Sequence, residues 1–217
     1  MTLLERLFPR RIRLTYGLTV CHEADELERL LKVLLPHCAA ADELLVLQDI
    51  TTPDARVGAV LDRYRSRIRV RQARLAGDFA TFKNQLIAHA TGTYLFQIDA
   101  DEVPAETLLR TLKTTLVRYR NSDCFALPRV NRVEGLTPDW VARWNWTLDA
   151  AGRVNFPDYQ LRVFRLNRGI HWKNRVHEEL TGFCHCQYLP ADDETFCLYH
   201  PKDIERQKRQ NALYDSL

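Results

Sequence analysis

The chain is 217 residues long, with 46% hydrophobic and 27% charged residues and a formal net charge of +3 at pH 7. That is enough apolar sequence for one full core in a single domain spanning 1–217, and no segment approaches the roughly 18 to 20 consecutive apolar residues of a membrane helix. A charge this small does not by itself signal a nucleic-acid partner, although Arg63, Arg65, Arg67, Arg69, Arg71 and Arg74 crowd one segment. The opening run MTLLERLFPRRIRL is interrupted by Glu5, Arg6 and Pro9 and predicts neither an export signal nor an anchor. Without export, six cysteines predict reduced thiols and cytoplasmic residence.

Residues 13–21, RLTYGLTVC, predict a first strand. Leu27, Leu30, Leu31 and Leu34 then recur at helical spacing, with Asp25 and Glu28 spaced as a capping box and Pro36 as the stop. Glu43 to Asp49 predicts a second strand, and Thr52-Pro53 opens a helix with Val57, Val60, Leu61 and Tyr64 on one face. Ile68 and Val70 mark a third strand, and a helix runs from about Phe79 to Ala90. After a strand ending at Asp99, Leu108, Leu109, Leu112 and Leu116 trace the next helix. Repeated strand-helix units predict an α/β fold with a mostly parallel, doubly wound sheet at about 13–120. The half at about 121–200 reads as less regular and aromatic-rich, and 201–217 as a closing helix.

Residues 93–102, TYLFQIDADE, carry the most chemistry. Tyr94, Leu95, Phe96 and Ile98 read as a buried strand, punctuated by Gly92 at its start, so Asp99, Asp101 and Glu102 fall at a strand's carboxyl end. Ligands of open α/β sheets bind there, and clustered carboxylates suit a hard divalent cation that bridges to phosphate oxygens. The competing reading is local: Pro104 in a first helical turn would make Asp101 or Glu102 a helix cap. Cys184, Cys186, Cys197 and His200 have spacings that a zinc site permits, but Cys184 and Cys186, two apart on a strand, also read as small buried hydrophobes. Tryptophans 140, 144, 146 and 172 serve either a core or a wall on which a sugar or base stacks.

The order of these signals resembles a known family. Cys21-His22-Glu23 after the first strand, Asp49 with Thr51-Thr52-Pro53-Asp54, Asp78-Phe79 with Lys83-Asn84, and Asp99-Ala100-Asp101-Glu102 look like the family-2 glycosyltransferases of GT-A fold. Gln160-x-Arg162-x-Phe164-Arg165, Trp172 and Val176-His177-Glu178 are similar to the segment that the bacterial lipopolysaccharide-core glucosyltransferase branch carries after its metal motif. The resemblance covers about residues 13–200. It implies that the first half binds a nucleotide sugar, a UDP-sugar above all, through Cys21, Glu23, Asp49, Asp78, Lys83, Asn84 and Asp99. Asp49 would accept a hydrogen bond from the base, and Asp101, with Asp99 and His200, would hold Mn²⁺ or Mg²⁺. Glu178 would be the base that deprotonates the acceptor, with Asp158 and Glu179 as rivals, and Trp144, Trp146, Trp172 and His177 would line the acceptor side. His177 also competes with His200 for the metal. Gln48 and His22 depart from the family pattern, which often has an acid and an asparagine there.

The implied reaction is transfer of a sugar from a nucleoside diphosphate to a hydroxyl with inversion, a divalent cation stabilising the departing diphosphate. Expected acceptors are a saccharide such as a lipid-linked core, with Arg10, Arg11 and Arg13 meeting anionic headgroups in peripheral membrane contact, or hydroxymethylated pyrimidines in DNA. A non-catalytic nucleic-acid or zinc module would leave the Asp99–Glu102 cluster without a task. Acids turned away from a cleft, or consumed in pairs with arginine, would contradict the metal reading.

Overall fold

The computed structural model describes residues 12–215. Arg10, Arg11 and most of the interrupted opening run lie outside the described residues. Strands β1 (Leu14–Val20), β2 (Glu43–Asp49), β3 (Arg69–Ala73) and β4 (Tyr94–Asp99) alternate with helices α1 (Ala24–Leu34), α2 (Ala55–Tyr64) and α3 (Phe79–His89). The short β5 (Val103–Pro104) and helix α4 (Glu106–Arg118) follow. The second half holds β6 (Cys124–Glu134), α5 (Pro138–Arg143), β7 (Val154–Arg165), the paired β8 (His171–Lys173) and β9 (Glu179–Thr181), β10 (Cys186–Tyr188), β11 (Leu198–Asp203) and α6 (Ile204–Asp215).

The main sheet runs β3-β2-β1-β4-β7-β6-β11-β5, with β10 also paired to β6. Its first four strands are parallel, β7 enters antiparallel to both β4 and β6, and β11 runs parallel to β6. In the second half, β6 and β7 are 11 and 12 residues long and complete the same sheet, followed by short strands and loops. Pro128 and Pro157 lie inside these strands and, with their polar alternation, hide them from a reading that looks for apolar runs.

Alternation sorts the parallel strands into two cores. Leu14, Tyr16, Leu18, Leu44, Val46, Tyr94, Phe96 and Ile98 pack with the leucines of α1 and α4 and the valines of α2. Leu45, Leu47 and Leu95 face the other way, onto Ala80, Phe82 and Leu86 of α3 and Trp172 and Leu180 of the β8–β9 pair. The sheet is thus covered on both sides, as a doubly wound α/β fold requires.

Helix starts differ from expectation. Glu23, not Asp25, precedes α1, and its carboxylate accepts from the Cys21 and His22 amides at 2.8 and 3.0 Å rather than closing a capping box. Asp25 and Glu28 instead pair with Arg56 and Arg63 of α2. Asp54, one residue past Thr52-Pro53, caps α2 through the Arg56 amide at 2.7 Å. Pro104 sits in β5 and Ala105 precedes α4 without a side-chain cap, so neither Asp101 nor Glu102 caps a helix.

Gly92, read as punctuation before β4, is sterically required. A Cβ there would lie 2.7 Å from the Arg13 carbonyl oxygen and the Thr15 nitrogen and 2.8 Å from the Tyr94 carbonyl oxygen, all backbone atoms. Gly92→Ala should therefore cost about 1–3 kcal/mol in urea denaturation, whereas Gly58→Ala, where nothing lies within 4 Å, should cost nothing. Equal midpoints for the two variants would refute this account.

Candidate active site

The carboxyl ends of β1, β2 and β4 open onto a cavity of about 590 Å³ whose walls also include α3, β6, β7, β11 and the loop between β8 and β9. Cys21, Glu23, Asp49, Lys83, Asp99, Asp101, Asp158, Trp146, Trp172, His177, Glu178 and His200 all line it. Asp78 and Asn84 do not, and both are corrections. Asp78 caps α3, accepting from the Thr81 amide and hydroxyl at 2.9 Å. Asn84 is a clamp: its amide donates to the Trp172 carbonyl and its oxygen accepts the Trp172 amide, both at 2.8 Å. Trp144 also stands back from the cavity, its ring 4.7 Å from that of Trp146 and 4.7 Å from that of Trp140, so it buttresses the wall.

On the donor side, Asp49 Oδ1 accepts from the Thr51 amide and hydroxyl at 2.8 and 2.6 Å and from the Leu75 amide at 3.1 Å. Burial opposes its charge, but these bonds outweigh burial and hold the carboxyl below its ordinary range. Oδ2 meets the Cys21 thiol at 3.6 Å. Burial, then Asp49 and Glu23, push that thiol up to about 12, so Cys21 is a neutral wall rather than a nucleophile.

The acid cluster is split between two jobs. Asp99 accepts from the Thr19 hydroxyl at 2.7 Å and from Arg162 Nη2 at 2.6 Å. The same Nη2 reaches Glu102 at 2.6 Å, and Arg129 joins Glu102 at 3.1 Å. Asp99 is therefore consumed by an arginine, which corrects its assignment as a metal ligand. Burial opposes ionisation, yet Arg162, followed by Lys83 and the Thr19 hydroxyl, holds it far below the usual carboxylate range. Asp101 takes the other job, with Oδ2 3.1 Å from His200 Nε2 and 3.2 Å from Arg206 Nη2. Burial is again outweighed, here by the His200 contact, and Asp101 is lowered to about 2.

A chain of bonds orients His200. Arg129 grips Asp158 Oδ2 at 2.9 and 2.6 Å, Asn131 Nδ2 donates to the same oxygen at 2.8 Å, and Asn131 Oδ1 thereby faces His200 Nδ1 at 2.8 Å. An acceptor at Nδ1 places a proton on that nitrogen, leaving Nε2 and Asp101 Oδ2 facing each other across a proton or a cation. Two ligands with bonds near 2.1 Å at a right angle stand about 3.0 Å apart, so this edge has the spacing for Mn²⁺ or Mg²⁺, which would displace the Arg206 guanidinium now paired with Asp101 Oδ2. Among the described residues no group of three or more His, Cys, Asp or Glu side chains is arranged to hold a metal alone, and Cys184, Cys186, Cys197 and His200 are not gathered into one. Cys184 is exposed outside β10, contrary to its reading as a strand hydrophobe. The Asp101–His200 edge is half of a site that phosphate oxygens would complete.

Of the three candidate bases, Glu178 has the right surroundings. Its carboxylate meets Lys83 Nζ at 2.5 Å, and that ammonium lies 4.9 Å from the Trp172 ring centroid. Asp158 is bound by Arg129, Asn131 and Gln160 Nε2, the last at 2.8 Å, and is held below its ordinary range. Three of these bonds fall on Oδ2, so the carboxylate orients its neighbours, and its lowered pKa makes it a weaker base than an unperturbed carboxylate. Glu179 is exposed, paired with Lys173 at 3.0 Å, and outside the cavity wall. The sequence reading assigned no task to Thr19, Arg129, Asn131, Gln160, Arg162 or Lys202, all on the cavity wall. The available signal was period-2 polarity, in Arg129-x-Asn131, Asp158-x-Gln160-x-Arg162 and His200-x-Lys202.

Arg162 is 4% exposed and Glu102 fully buried, so removing the guanidinium strands carboxylates. Arg162→Met should cost about 3–5 kcal/mol at pH 7 in chemical denaturation. A carboxyl lowered by folding contributes stability above its unfolded value, near 3.9, and loses it as pH falls through the folded value. Wild-type stability should thus drop between about pH 4 and pH 2, where Asp101 titrates, and an Arg162→Met protein as stable as its parent at pH 7 would contradict the assignment.

The sequence matches the family described as Glycosyl transferase family 2 over residues 17–187. No curated protein matches it. Among solved structures, S. aureus TarS 1–349 is similar at TM-score 0.59 and 12% identity, over 88% of this chain and 60% of that one. TarS 1–349 in complex with UDP-GlcNAc gives 0.57 at 14% identity, over 88% and 59%. The same fragment with UDP gives 0.57 at 13% identity, over 88% and 60%. This chain spans about 60% of the length of those proteins, and at such identities the likeness concerns the fold. The family match runs from Gly17 within β1 to Gln187 within β10, and so includes Asp49, the Asp99–Glu102 cluster and Glu178: the chain belongs to glycosyl transferase family 2.

Proposed function

We propose that this chain transfers a glycosyl group from a UDP-sugar to a hydroxyl of a saccharide acceptor, with inversion and with Mn²⁺ or Mg²⁺ as the required ion. The observation that carries the reading is the 3.1 Å edge between Asp101 and His200 at the end of β4, in a cavity that also holds Glu178. UDP-GlcNAc and UDP are named in the TarS complexes, whose fold is similar, and this favours a uridine diphosphate donor.

The ion would be held by Asp101 and His200, and when bound it supplies positive charge to the diphosphate that departs from the sugar. Asp49 offers Oδ2 to an N–H of the base, its other oxygen being fixed by Thr51 and Leu75. Trp172, anchored by Asn84 at its backbone and by Gln97 at its indole nitrogen (3.0 Å), is a rigid apolar wall beside Lys83. Glu178 takes the acceptor proton, and Lys83 orients its carboxylate. Attack from the side opposite the diphosphate inverts the anomeric carbon.

A saccharide is preferred over DNA as acceptor because of where the arginines fall. Arg63, Arg65 and Arg67 precede β3, and Arg13 precedes β1, so they stand at the amino ends of the strands, away from the cavity at the carboxyl ends; of that arginine-rich segment, Arg74 alone follows β3. Trp146 and Trp172 on the wall suit the apolar face of a pyranose.

Thermal-shift measurements with UDP should show stabilisation that needs Mn²⁺ or Mg²⁺. Asp101→Asn should abolish the metal-dependent part, whereas Glu178→Gln should keep it and lose turnover by about 10²- to 10⁴-fold. Stabilisation by UDP that is the same with and without the ion would count against the metal role, and full turnover by Glu178→Gln would remove the base.

A further inference from the structure

The two strands that flank Glu178 stand apart from the main sheet. Among the described residues β8 and β9 pair with each other and with no other strand, and the loop between them, 174–178, ends on Glu178. Two strands alone are marginal, so this arm takes its position from what it touches. The loop also holds two non-glycine residues in the left-handed region, Asn174 at φ +71° and His177 at φ +53°, the second directly before Glu178. A residue with a side chain adopts that backbone at a cost, and it persists where the surrounding contacts determine it.

Those contacts come from α3. The Phe79 amide donates to the Arg175 carbonyl at 2.9 Å, Asn84 exchanges two bonds of 2.8 Å with the backbone of Trp172, and Lys83 meets Glu178 at 2.5 Å. One helix thus grips the arm at residues 172, 175 and 178. The grip at Trp172 is the tightest in geometry, because a carboxamide presents its oxygen and its N–H side by side and so matches a residue's own N–H and C=O, as a neighbouring strand would. The indole nitrogen of Trp172 also donates to Gln97 at 3.0 Å, so backbone and ring are both fixed. Asn84 itself is absent from the cavity wall. Its two bonds therefore act on what the arm carries, and a reacting group displaced by about 1 Å can lose on the order of 100-fold in rate.

We propose that Asn84 is a positioning residue for Glu178: its clamp on the Trp172 backbone sets the β8–β9 arm, and through it the place where the Glu178 carboxylate meets the acceptor hydroxyl. This rests on the reading of Glu178 as the base given above. Asn84 touches neither donor nor acceptor, and its effect passes through Glu178 alone.

The test is a double-mutant cycle on the full chain, read as UDP release with Mn²⁺ from a panel of UDP-hexoses, with water taking the acceptor's place. Asn84→Ala should lower kcat about 10- to 100-fold while KM for the UDP-sugar stays within about 3-fold. Added to Glu178→Gln, the same substitution should cost less than about 3-fold more, because a residue that acts through another has nothing left to act on. Gln97→Met is the second variant: it frees the Trp172 ring, and it removes a buried amide nitrogen that has no partner among the described residues, so it is compatible with folding. It should show a smaller loss in kcat with the same lack of additivity. Full kcat in Asn84→Ala, losses that multiply in the double variants, or a change confined to KM would overturn the proposal. Full turnover by Glu178→Gln would instead overturn the base reading, and a parent that releases UDP from no UDP-hexose would overturn the glycosyl-transfer reading beneath both.

Discussion

The guanidinium of Arg162 is the tie on which the site depends. It reaches from β7 to Asp99 at the tip of β4 and to the buried Glu102 just beyond, and so fastens the antiparallel half of the sheet to the parallel half. Two carboxylates placed close together at the end of a buried strand repel each other and desolvate badly, and a nearly buried arginine resolves both problems at once. With Asp99 and Glu102 neutralised in this way, the chain between them turns Asp101 toward β11. The motif therefore works by division of labour: its outer acids hold the turn, and its middle acid meets His200.

A second set of contacts carries that order across the sheet. Arg129, Asp158, Asn131, His200 and Asp101 form one connected line of hydrogen bonds over β6, β7, β11 and the end of β4. Each member fixes the next: Asp158 decides which way the Asn131 amide points, and that amide decides which imidazole nitrogen carries a proton. Such a line has few alternative arrangements, so the imidazole is held in one orientation, with Nε2 toward Asp101. Asp158 contributes by holding still.

Much of the parallel half was legible because its signals are local. Leu27, Leu30, Leu31 and Leu34 lie on one helical face whatever they pack against, and the run from Tyr94 to Ile98 is apolar enough to be a central strand on its own. The strand-end position of Asp99, Asp101 and Glu102 followed from that run. What was not legible depends on pairing across long sequence distances. Nothing near residue 99 announces that Arg162, 63 residues later, will claim Asp99. Nothing near residue 84 announces that Asn84 will serve as a surrogate strand edge for Trp172 rather than meet a ligand. The long β6 and β7 were obscured by their own function, because the side of each strand that would normally read as apolar carries the arginine, asparagine, aspartate and glutamine of the cavity floor.

The balance of charge in the cavity explains why so many cations still leave room for a metal. The lining carboxylates outnumber the lining lysines and arginines by six to four, and the arginines are committed to the protein's own acids. A dianionic diphosphate entering such a cavity would meet surplus negative charge, and each like-charge pair at 4 Å costs about 4 kcal/mol at an effective dielectric of 20. Under the proposed reaction, a divalent cation held by Asp101 and His200 would offset that surplus. Arg206, from the first turn of α6, shows the same demand met from within: it reaches Asp101 at 3.2 Å, Glu23 at 3.6 Å and Glu26 at 2.7 Å, gathering acids that would otherwise repel. Its guanidinium is tethered to three carboxylates and stays with the protein. Under the proposed reaction, such an acid-rich wall would favour a metal-bound diphosphate over the free anion.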